Sequence, residues 1–127
     1  MAFPAIDNVT NLLQKFLDVQ TRRAEVISAN IANADTPGYV AKTVDFEQYL
    51  KDAAKESLLP MRQSDGLSNG QLRVVEQQSS AIGFDGNTVD AGKEMADLAQ
   101  AGTNFNFGSK ILQSRFRLLR TAIREGR

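Results

Sequence analysis

The chain has 127 residues, 15 of them Lys or Arg and 15 Asp or Glu, so its formal net charge is zero and no charge excess points to nucleic acid or an anionic membrane. It contains no Cys and no His, which excludes thiol nucleophiles, disulfides, Cys/His zinc sites and His general bases together. Its 42% apolar content suits one globular domain, but with no Trp, seven Phe and two Tyr the core is thin, and other subunits are expected to complete its burial.

In chain order, Met1–Asn8 lacks a basic patch followed by an apolar run, and no stretch nears the roughly 20 apolar residues of a membrane span. The expected protein therefore stays in the cytosol or leaves it without a cleaved signal, and does not insert directly in a membrane. A first helix is expected from about Asp7 to Asn33. Val9, Leu13, Phe16, Gln20, Ala24, Ile27 and Ile31 step by threes and fours, an a/d-like seam with one polar and one small member. Asp7 or Asn8 is the expected cap. The helix should stop before Pro37, which lacks a donor and biases Thr36 away from helix.

The middle, from about Asp35 to Thr88, changes character. Asp45 and Gln48 resemble a capping pair, and Phe46, Tyr49, Leu50 and Ala53 suit a short helix to about Glu56. Ser64-Asp65-Gly66 and Ser68-Asn69-Gly70 are turn clusters. Leu58–Gln63 and Gln71–Gln77 on either side are expected to pair as a hairpin, Leu72 and Val74 sharing a face. Glu76–Gly86 reads as loop. A second long helix is expected from Asp90, its cap, to about Arg124. Its seam is Met95, Leu98, Gly102, Phe105, Ser109, Leu112, Phe116, Leu119 and Ile123. Gly102, Asn104, Asn106 and Gly108 should make it weakest there in isolation. The expected fold is mainly α: long end helices packed as an antiparallel coiled-coil-like pair around an irregular middle. The regions are 1–34, 35–88 and 89–127, within one domain. Diluted seams suggest an assembling subunit with a weakly folded monomer, its end helices little protected from hydrogen exchange in dilute solution.

Two stretches carry more specific information. In Ser28–Tyr39, the residues Asn30, Ile31, Ala32, Asn33, Thr36, Pro37, Gly38 and Tyr39 match the N-terminal signature of bacterial flagellar axial proteins position by position. The second is Asp85, Gly86, Asn87, Thr88, Val89 and Asp90, followed by Lys93–Ala99. It is similar to the region that distinguishes the proximal rod protein family (FlgB), as Leu119–Ile123 is to that family's C-terminal end. The resemblance covers the whole chain, the middle only in kind. Ala91-Gly92 and Asn104–Gly108 depart from the family pattern, the latter standing where a Tyr-containing, more helix-prone stretch is usual. This leaves the packing of the C-terminal helix open.

The resemblance implies a structural subunit of the flagellar basal-body rod that transmits torque and encloses the export channel. It implies export through the flagellar type III apparatus without signal cleavage, and residence in the periplasmic rod. The implied partners are other copies of the chain, the other rod proteins, the basal-body adapter FliE, and the membrane ring and export gate. Neither cofactor nor metal is expected.

The motif residues have physical readings of their own. Asn30 and Asn33, nearly on one helical face, could lock register between subunits or cap a neighbouring turn's backbone; the plainer reading is helix termination. Thr36-Pro37-Gly38 redirects the chain, with Gly38 free to take positive φ, and Tyr39 can pin the turn. Asp85–Asp90 is not a calcium loop: position five is Val89, position six is Asp90 in place of Gly, and no Glu stands at position twelve. It reads better as a turn before a capped helix. Lys110, Arg115, Arg117, Arg120, Arg124 and Arg127 form a basic tail, read as a solvated face or as the counterpart of neighbours' acids, with Glu76, Asp85, Asp90, Glu94 and Asp97 as candidates. Asn8-Val9-Thr10 matches a glycosylation sequon by chance. The alternative function is a cytosolic helical binding module or regulator that docks its basic C-terminal helix on an acidic partner or DNA. No Gly-rich phosphate loop or nucleophile elbow supports an enzyme.

Overall fold

The computed structural model describes residues 4–58, 72–77 and 82–126. Five elements follow in order: helix α1 (Pro4–Ala32), strand β1 (Lys42–Asp45), helix α2 (Glu47–Leu58), strand β2 (Arg73–Glu76) and helix α3 (Ala91–Glu125). The fold is mainly helical. With 29 and 35 residues, α1 and α3 are roughly 43 and 52 Å long.

They pack antiparallel. Gly108 of α3 abuts Phe16 and Leu17, Asn104 reaches Gln20, Asp97 faces Arg23, and Asn30 bonds Glu94. A Cβ on Gly108 would stand 3.0 Å from Leu17 Cδ2 and 3.1 Å from the Phe16 ring, so this glycine sets how closely the helices approach. Helix α3 runs unbroken through Gly102 and Gly108.

Three sequence expectations change in detail. Helix α1 opens at Pro4, so Asp7 and Asn8 lie inside its first turns instead of capping it. Proline suits that first position, where its missing N–H would have had no helical partner. Helix α2 covers the expected segment shifted by a residue or two. Strand β2 falls within the expected Gln71–Gln77, but its partner is β1, antiparallel, with Lys42 opposite Glu76 and Asp45 opposite Arg73. Of the expected partner Leu58–Gln63, Leu58 ends α2 and the rest lies outside the described residues.

Among the described residues the buried ones are few. Val19, Val26, Ile27, Ala41, Val44 and Ala101 form the apolar core, and Gln20, Asn30, Asn87 and Glu94 are buried among them. Along α1, Val19, Val26 and Asn30 lie on a flank beside the expected seam, and the β1–α2 segment packs against α1, with Lys42 of β1 bound to Asn30. Helix α1 is thus gripped on two sides, by α3 and by the β1–α2 segment.

The line of α3 that meets α1 runs through Glu94, Ala101 and Gly108, its three buried residues, one position ahead of the expected seam. Leu98, Leu112 and Leu119 are half-buried along it. Met95, Phe105, Phe116 and Ile123 remain 59%, 40%, 52% and 70% exposed, so only one edge of the apolar stripe is covered. The shift follows from size: Ala101 and Gly108 admit a close neighbour where larger side chains do not.

Candidate assembly site: a knot of two motif loops

The two motif stretches, some fifty residues apart, meet where α1 ends and α3 begins. Thr36-Pro37-Gly38-Tyr39 closes as a turn, the Tyr39 N–H donating to the Thr36 carbonyl at 3.3 Å. Pro37 stands second, and Gly38, third, has φ +72°, the signature of a type II turn. The opposing loop turns at Gly86, with φ +78° and its N–H donating to the Gly83 carbonyl at 2.9 Å. The two glycines face each other: a Cβ on Gly86 would lie 3.6 Å from Gly38 Cα. The loops are joined by backbone bonds, Gly38 N–H to the Asp85 carbonyl and Thr88 N–H to the Tyr39 carbonyl. The Thr88 hydroxyl also accepts from Ala41 N–H at 2.8 Å.

Asn87 closes the end of α1. Its buried amide nitrogen lies 3.0, 2.9 and 2.8 Å from the carbonyls of Asn33, Ala34 and Thr36. Its amide oxygen accepts from Val89 N–H at 2.7 Å. The last carbonyls of a helix have no intrahelical donor, and here a side chain from the far half of the chain supplies one. Asp85 holds Asn87 in turn, its carboxylate accepting from the Asn87 N–H at 3.1 Å. Asp90 begins α3 by accepting from Lys93 N–H at 3.1 Å.

Asn30 is the second hub, with no exposed surface. Its amide takes both backbone groups of Lys42, as an adjacent strand would: Lys42 N–H donates to Oδ1 at 2.9 Å, and Nδ2 donates to the Lys42 carbonyl at 2.7 Å. Nδ2 also donates to Glu94 Oε2 at 3.0 Å, and the Tyr39 hydroxyl reaches Oδ1 at 3.4 Å. One amide therefore ties α1, β1, the turn and α3 together. Asn33 acts locally, its Nδ2 donating to the Ala29 carbonyl at 2.8 Å and its Oδ1 accepting from Thr36. Of the two asparagines, Asn30 makes long-range contacts within the chain and Asn33 finishes its own helix. Ile31 is half-buried beside them and Ala32 is exposed, as α1 ends.

Among the seam residues, Val9 is 40% exposed, Leu13 and Phe16 are half-buried, and Ile27 is buried. The proposed acidic surface is also rearranged. Glu94 is 3% exposed and bound by Asn30, and Asp97 lies 3.7 Å from Arg23. Arg115 is half-buried, its Nε without a hydrogen-bond partner among the described residues. The knot is a structural joint: its polar atoms are spent on backbone groups and on one another, and no cluster of potential metal ligands occurs among the described residues. No helix in the described residues is long and apolar enough to cross a membrane.

Alongside their contact, α1 and α3 border an open groove of about 560 Å³. Small residues, among them Thr21, Ala24, Ser28 and Gly102, line it, with Phe105 on one wall.

Comparison with known proteins agrees with this geometry. The family described as "Flagella basal body rod protein" matches residues 17–39, the run from mid-α1 through the Tyr39 turn. The flagellar basal body rod protein FlgB of Aeromonas hydrophila is 30% identical, over 94% of this chain and 96% of its own length. The protein of the same name from Escherichia coli K12 is 29% identical over 95% and 96%. One from Proteus mirabilis is 32% identical over 73% and 76%. With two motif loops knotted between paired end helices, and similarity running through nearly the full length of the Aeromonas hydrophila and Escherichia coli proteins, the chain belongs to the FlgB family of flagellar basal body rod proteins.

Proposed function

We propose that this protein is a structural subunit of the proximal rod. It self-assembles with other rod proteins into the drive shaft that carries motor torque and encloses the export channel. It resides in the basal body, reached through the type III export apparatus without signal cleavage. Its contacts are with further copies, the other rod proteins, the adapter FliE, and the membrane ring and export gate beneath. The roles of the motif residues from Asn30 to Tyr39 and from Asp85 to Asp90 are to hold the subunit's shape for assembly. The seam residues left open, such as Met95, Phe116 and Ile123, take up neighbours.

The observation that carries this reading is the pairing of a polar knot with a half-covered apolar stripe. The knot fixes the angle at which the helices leave it. The stripe remains exposed along α3 in the single chain. A subunit whose shape is set internally and whose burial is unfinished is suited to open, repeating contacts. Deletion of the gene, with imaging of basal bodies by electron microscopy, tests it. Rings without rod or filament, restored by complementation, are expected. Intact rods and filaments would return the chain to the class of helical binding modules.

A further inference from the structure

Two flanks of α3 are apolar and uncovered. One is the groove side, where Phe105 and Phe116 are 40% and 52% exposed. The other carries Phe107 and Leu118, 64% and 68% exposed. Phe105 and Phe107 are two residues apart, about 200° around the helix, so the flanks lie nearly opposite each other. Within each flank the two residues are eleven apart, about three turns, so each pair, the Phe107–Leu118 ridge among them, lies nearly along one line of the helix, and the groove itself is bordered on α3 by Ala101, Gly102, Phe105 and Asn106.

The charges match as well. Lys110 is exposed one turn beyond Phe107 on the ridge side, and Asp18 is exposed one turn before Thr21 on the groove rim. Neither has an ion-pair partner among the described residues. The contacts of Gly108 with Leu17 and of Asn104 with Gln20 place Asp18 level with about residue 106 of α3. A lateral neighbour offset by about one helical turn brings its Lys110 level with Asp18. The same offset sets its Phe107 level with Thr103, next to Gly102, where nothing lies within 4 Å of an added Cβ.

We propose that the α1–α3 groove seats Phe107 of a second copy of this chain, with Lys110 of one copy facing Asp18 of the next. The contact is heterologous, so each copy offers one ridge and one groove, and the row extends sideways without closing on itself as a dimer. This rests on the rod-subunit reading and specifies which faces of that subunit meet.

The chain has no Cys, so engineered pairs report cleanly. A strain carrying G102C/F107C in place of the wild-type gene would supply basal bodies for oxidation and non-reducing electrophoresis. Both positions lie outside the core, so the fold should tolerate the changes. A ladder of covalent multimers is expected, absent from G102C and from F107C alone. Rods that contain the double variant and give no ladder would overturn the contact while leaving the rod reading intact. The charge pair gives a second test in swarming motility: K110E should reduce swarming and D18K/K110E should restore it. Wild-type swarming by K110E, or no restoration in the double variant, would also overturn the proposal. Failure of the rod reading itself has a different sign, namely intact rods in the deletion strain.

Discussion

The two ends of the helix pair are built on opposite principles. At the knot, buried amides of Asn30 and Asn87 make directional bonds to backbone groups of three other segments. Toward the C-terminus of α3, residues past about 109 have no buried member, and Phe116, Leu118 and Ile123 face outward. Directional bonds fix a shape with little buried area, because each satisfies a group whose alternative is burial without a partner. Apolar surface is non-directional and can wait for a neighbour. The comparison teaches that this chain specifies its own geometry at one end and leaves much apolar surface uncovered at the other.

The largest effects should therefore come from the amides. Asn87→Ala leaves three carbonyls at the end of α1 and the Val89 N–H without their side-chain partner. A loss of about 2–4 kcal/mol in urea unfolding is expected. Asn30→Ala should cost a similar amount, and Asn30→Asp more than Asn30→Ala, because it removes the donor to Glu94 and sets a second carboxylate beside it. Equal stability of the Asp and Ala variants would mean that the Glu94 contact contributes little. Hydrogen exchange sharpens the same contrast: amides in 20–31 and 97–108 should exchange more slowly than those in 112–124, and a uniform rate along α3 would remove it.

Smaller effects separate backbone from packing. Gly38→Ala and Gly86→Ala each force a side chain into the left-handed region, at about 1–2 kcal/mol apiece. Because the two glycines face each other, their costs should not add. On α3, Gly102→Ala meets open space and should stabilise by up to about 1 kcal/mol. Gly108→Ala gains the same propensity but drives a methyl to within 3.0–3.2 Å of Leu17 and Phe16, so its gain should be smaller or reversed. Equal melting shifts for the two variants would show that Gly108 does not set the helix spacing.

These residues also mark where sequence reasoning reaches and where it stops. The long helices were legible, because steps of three and four persist over many turns, and so was the turn at Pro37-Gly38, because both residue types are conformationally restrictive or permissive at their positions. The partner of β2 was not: two four-residue strands about thirty residues apart leave no periodic trace, and nearby turn clusters favour the local hairpin. The packing line of α3 was hidden for a related reason. Ala101 and Gly108 carry little hydrophobic signal, so the apolar stripe one position away dominates the pattern. In the sequence Glu94 and Asn87 look like a surface acid and a turn residue, since a buried polar group is distinguishable only by its distant partners.

The smallest effect tests the claim that stability is held by buried bonds and not by surface charge. On α2, the Lys51 ammonium lies 2.6 Å from Glu47, four residues before it. The hydrogen bond and charge of Lys51 hold the Glu47 carboxyl below its ordinary value, and Glu47 raises Lys51. For a lowered acid, the added stability is present above the unfolded-state value and is lost as pH falls through the lowered folded one. Any such loss belongs to the acid range. Both groups are open to solvent, so water and salt screen the pair. Glu47→Gln should leave the urea midpoint unchanged at neutral pH, and the small acid-side difference between variant and parent should vanish in high salt. A midpoint shift rivalling that of Asn30→Ala would place α2, and not the knot, at the centre of the fold's stability.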